Sequence, residues 1–83
     1  MPVVFSETEA CFEGVCSVEE ALSLLEFLRG TEAPQVDLAA CTHLHTALLQ
    51  LLLVARPKMA AAPTDPDLAR WVAPLLSGGQ ENA

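Results

Sequence analysis

Basic residues are scarce in this 83-residue chain: Arg29, Arg56, Lys58 and Arg70 stand against eleven acids, for a net charge of −7. A phosphate-binding surface needs clustered Lys and Arg, and these four are scattered, so nucleic-acid binding is not expected. An anionic membrane surface would repel the chain. The start, Met1 to Glu9, has neither a basic stretch nor a long apolar core, so no signal peptide is expected there. The longest apolar stretch, Ala47 to Ala55, is broken by Gln50 and falls far short of the ~20 residues that cross a bilayer. Direct membrane insertion is therefore not expected. The cysteines are Cys11, Cys16 and Cys41; an odd count without a C-x-x-C pair argues against a disulfide framework and for a reducing compartment. The expected location is the cytoplasm. Also missing are a G-x-S-x-G elbow, a Gly-rich phosphate loop and a carboxylate pair in a cleft-like setting, so no enzymatic activity and no cofactor are expected.

What the chain does have is apolar side chains, 52% of its residues, with only 18% charged. That suffices for one small core and argues against wholesale disorder. The expectation is a single domain over residues 1–77, followed by a Gly-rich polar tail over residues 78–83. Some apolar surface should remain uncovered, which suggests a partner or a self-pair. Seven of the eleven acids fall between Glu7 and Glu32, as a solubilising surface in the first half.

Val3, Val4 and Phe5 favour a first strand over Pro2–Ser6. A polar turn at Glu7–Glu9 leads into a second strand, Ala10–Cys16, forming a hairpin. Ser17 and Glu20 have the spacing of a capping box, and Ala21, Leu24, Leu25 and Leu28 follow as a helical stripe that ends at Gly30. Gln35–Cys41 reads as the central strand, with Val36, Leu38 and Ala40 on one face and Asp37, Ala39 and Cys41 on the other. Thr42–His45 reads as a turn, and Thr46–Arg56 as a very apolar helix stopped by Pro57. Lys58–Ala62 is a short last strand. Asp65 (or Thr64) caps a final helix with Pro66 at its first position, and Leu68, Trp71, Val72 and Leu75 form its apolar side. Pro74 should kink it. The order β-β-α-β-α-β-α implies an α/β domain: a small mixed four-stranded sheet with three helices.

The stretch Val36 to Leu53 is the most informative. A strand running into a helix leaves the free N–H groups of the helix start at the sheet's carboxyl edge, a common working surface. Val36-Asp37-Leu38, followed by His45-Thr46-Ala47-Leu48-Leu49 at the head of a Leu-rich helix, resembles the STAS domain of sulfate transporters and anti-sigma factor antagonists. Phe12 to Ser17, with Gly14 at its centre, is similar to that family's turn before its first helix, and Ala62 to Leu68 to its turn into the last. The likeness spans roughly Phe12 to Leu76. His45 stands where the family has Asp, and Leu48 where it has Gly.

The resemblance implies a non-catalytic interaction domain of bacterial signalling. Its partner would be an anti-sigma factor or kinase-like regulator, and its phosphoacceptor Thr46. The implied contact residues are Gly14, Ser17, Thr42, His43, His45, Thr46, Leu48 and Leu49. Stand-alone members of the family also suggest an accessory subunit of an ABC-type lipid transporter, with the transporter ATPase as partner. The plain alternative for Thr46 is a helix-start hydroxyl that satisfies a backbone N–H. Cys41, His43 and His45 form C-x-H-x-H, which on extended backbone puts three soft-metal ligands on one face. The competing reading is a buried Cys41 beside two loop histidines. Exposed strand edges and the Leu-rich helix also allow a homodimer.

Overall fold

The structure, a computed structural model, describes residues 3–76, so the tail at 78–83 lies outside the described residues. Four strands form one sheet in the order β1-β2-β3-β4: β1 Val3–Phe5, β2 Glu9–Cys16, β3 Gln35–Leu44 and β4 Lys58–Ala61. β1 pairs antiparallel with β2, and the remaining pairings are parallel. The helices are α1 Ala21–Gly30, α2 Thr46–Ala55 and α3 Pro66–Trp71, with a 3-10 turn at Val18–Glu20 leading into α1. This is the mixed α/β order expected from the sequence. Successive crossovers of the same hand, stepping in the same direction across the sheet, put α1 and α2 side by side on one face. α3 packs back against β3.

Local chemistry accounts for the element ends. Ser17 Oγ accepts from the Glu19 N–H at 3.4 Å, and Asp65 Oδ2 accepts from the Asp67 and Leu68 N–H groups with Pro66 at the first helical position. α2 stops where Arg56 turns left-handed (φ 51°) and donates its N–H to Leu52 O, just before Pro57.

The core joins Phe12, Leu24, Leu38, Leu48 and Leu52, all fully buried, with Val3 and Val36 beside them. Phe5 and Phe27 close one side, their ring centroids 5.3 Å apart. Leu68 and Val72 add α3 to the same cluster.

β3 departs from simple alternation. Cys11 lies opposite Asp37 but Glu13 opposite Ala40, and Gly14 lies opposite Cys41 but Val15 opposite His43. Each step adds one residue to β3 relative to β2, and each extra residue reverses which face the following side chains take. The buried residues of β3 therefore run Val36, Leu38, Cys41, Leu44. This corrects the strict alternation: Ala40 is exposed and Cys41 is buried. Side chains satisfy the first bulge, since the Ala39 N–H donates to Asp37 Oδ1 at 2.9 Å and Ala39 O accepts from Thr64 Oγ1 at 2.7 Å. Across from the second, Gly14 takes φ +63°, a backbone shape that side-chain-bearing residues rarely adopt.

α3 also differs from the expectation. Trp71 is 63% exposed, with the Arg70 guanidinium 5.0 Å from its ring centroid, while Val72 takes the core position. The helix breaks at Val72 and residues 73–76 form one further turn, just where Pro74 constrains the backbone.

Candidate edge at the start of α2

β2 and β3 end together at the sheet's carboxyl edge, where the His45 N–H donates to Cys16 O at 3.0 Å. β3 runs on to Leu44, so Thr42 and His43 are strand residues rather than the turn expected at Thr42–His45. The strand passes into α2 through His45 alone. Its backbone is extended (φ −61°, ψ 144°), its Nδ1 accepts from the Ala47 N–H at 3.0 Å, and its carbonyl accepts from the Leu48 and Leu49 N–H groups. His45 is thus the N-cap of α2, with an imidazole in the place where a carboxylate or hydroxyl usually sits.

Thr46 follows as the first residue of α2 and is exposed, together with Thr42 and His43. His45, Leu49, Gly14 and Ser17 are half-buried. Leu48 does not belong to this surface. It is fully buried and packs in the core, which corrects its assignment as a contact residue. The surface available at this edge is therefore Thr42, His43, Thr46 and the exposed parts of Gly14, Ser17, His45 and Leu49.

The three residues of the C-x-H-x-H run do not converge. Cys41 is buried, His43 is exposed on the far side of a register shift, and the His45 Nδ1 is committed to the α2 cap. Among the described residues no group of three His, Cys, Asp or Glu side chains is placed to hold a metal ion.

The Cys41 thiol instead lies 3.9 Å from that of Cys16 and 3.4 Å from His43 O. Burial pushes the Cys16 thiol up to about 12, helped by the neighbouring Cys41 and by the Glu20 carboxylate. Burial also raises Cys41. Both stay protonated at neutral pH, which makes them poor nucleophiles and poor ligands. Cys11 sits on the open face of the sheet, where partial burial and then Asp37, Glu13 and Glu9 raise it too.

Compared with protein-family models, with curated proteins and with solved structures, the chain matches none.

Glu20 has a different role from the one its spacing suggested. The Glu20 N–H donates to Ser17 O, but the side chain turns inward. It is only 6% exposed, and its Oε1 has no hydrogen-bond partner. A buried acid is rare enough to be informative, yet S-V-E-E reads locally as an ordinary capping box. The apolar run of α2 did signal a further surface. A helix apolar nearly all round lends one face to something else, and the exposed large apolar side chain of that face is Val54.

No helix among the described residues is long and apolar enough to cross a membrane.

Proposed function

We propose that this chain is a protein-interaction domain of STAS type. It docks a regulatory partner, an anti-sigma factor or kinase-like protein, through the edge made by Thr42, His43, His45 and Thr46. The observation that carries the reading is the exposed Thr46 at the first position of α2, beside a cap supplied by His45. His45 fills the position of the family Asp and supplies an accepting atom as that Asp would. Phosphate on Thr46 would add nearly two negative charges at the positive end of a ten-residue helix. The helix tolerates that charge, and the partner's surface must respond to it.

The test is affinity capture with the parent protein and with Thr46→Glu and Thr46→Val, read by mass spectrometry, alongside intact-mass analysis of the cellular protein. A regulatory partner held by the parent and by Thr46→Val but lost with Thr46→Glu supports the reading. Capture of the same proteins by all three forms would refute docking through this edge; if the common partner were a transporter ATPase, the chain would be an accessory transport subunit.

A further inference from the structure

A second surface lies between α1 and α2. Leu22 and Leu25 on one side, and Ala47, Gln50, Leu51 and Val54 on the other, line an open groove of about 470 Å³. Gln50 is its only polar side chain. Leu22 is 67% exposed and Val54 84% exposed, so both present their apolar groups to solvent. Single exposed apolar residues are ordinary, but here they flank one continuous concave strip.

The charges around the groove are unevenly placed. Glu26 follows Leu22 by four residues and shares its side of α1, Glu19 stands three residues before Leu22 in the 3-10 turn that leads into the helix, and both are exposed. α2 carries no charged residue between Thr46 and Ala55. The cations, Arg29 and Arg56, come only at the far ends of the two helices. A ligand along the groove therefore meets apolar walls, acids beside Leu22 just before α1 and again past its middle, and bases where the helices finish. At ~1.5 Å per residue, a ten-residue helix is about 15 Å long, room for anchors at i, i+3 or i+4, and i+7 of a bound helix.

We infer that this groove receives an amphipathic helix of a protein partner, with Lys or Arg flanking its apolar strip on the side that meets Glu19 and Glu26. The net charge of −7 steers a cationic segment toward the molecule and opposes close approach of a second copy. The groove is a surface separate from the Thr42–Thr46 edge and needs no modification of Thr46.

The test is fluorescence anisotropy with two labelled synthetic helices of identical Leu pattern, one with Lys and one with Glu at the polar positions. The Lys peptide is expected to bind at least ~10-fold more tightly than the Glu peptide. Leu22→Gln with Val54→Gln leaves the charge unchanged and should weaken Lys-peptide binding at least ~10-fold. Glu19→Lys with Glu26→Lys should shift the preference toward the Glu peptide. Thr46→Val should change nothing, which separates this groove from the edge. Undiminished binding by the Leu22/Val54 variant would overturn the inference, as would equal binding of the two peptides or a loss with Thr46→Val as large as with the groove pair. Sedimentation of the parent as a dimer that Leu22→Gln and Val54→Gln split would assign the groove to a second copy and overturn it too.

Discussion

Leu48→Ala separates a core role from a contact role at the start of α2. Leu48 has no exposed surface, and Leu52, one turn on, has none either. Truncation removes buried carbons and leaves a cavity that surrounding side chains fill only in part. For a fully buried leucine the loss is about 2–5 kcal/mol. A chain of this size has a total stability of roughly 4–12 kcal/mol, so one truncation takes a large share. In a domain this small it corresponds to a fall of about 10–30 °C in Tm. Val54→Ala is the internal control: on the same helix but 84% exposed, it should stay within about 0.5 kcal/mol of the parent. Urea unfolding followed by circular dichroism measures both, with an unchanged slope showing that only stability has moved. If Leu48→Ala unfolds at the parent's urea midpoint, or if Val54→Ala is the more damaging of the two, the faces of α2 are wrongly assigned. The reasoning about both the core and the groove then fails.

The cap of α2 makes a second prediction: His45→Asp should stabilise by about 0.5–1 kcal/mol, since a carboxylate is a better acceptor there and suits the helix dipole, and His45→Ala should destabilise by about 0.5–2 kcal/mol. Thermal melts that rank Ala level with His would show that the Nδ1 contact does not hold the helix. The buried thiols make a third. With Cys16 raised from its ordinary 9.0 to about 12, the folded protein keeps a proton that the unfolded chain releases. Stability from this group is fully present below about pH 9 and is lost as pH rises toward 12. The urea midpoint should therefore fall as pH rises above about 9, and fall less in Cys16→Ala; an equal fall in both proteins would remove Cys16 as the cause.

The element order was legible because local chemistry sets it. Asp65-Pro66 starts a helix wherever it lies exposed, Pro57 stops one, and Val3-Val4-Phe5 extends. The inward set of β3 was not legible, because its two bulges depend on how β3 matches β2, and register belongs to the pair of strands. The slip in α3 has a similar origin. From Leu68, both Trp71 and Val72 lie within one turn, and a six-residue helix is too short for periodicity to choose between them. At the α2 edge, the exposure of Thr46 could be read from the strand-to-helix transition. The burial of Leu48 was legible too, because Thr46 and Gln50 make one side of α2 polar and Leu48 and Leu52 lie opposite it; the family resemblance, which put Leu48 among the contacts, pointed the other way. Glu20 was hidden because its neighbours fit a familiar surface motif so well that nothing local pointed inward.

The sheet's rims carry a last consequence. The interior strands have eight and ten residues, but β1 has three and β4 four, and β4 is bracketed by Pro57 and Pro63 with Lys58 at its head. Such stubs offer little template for another chain's backbone, and proline cannot donate to a new ladder. A molecule so rich in aliphatic carbon is thereby discouraged from stacking into fibrils.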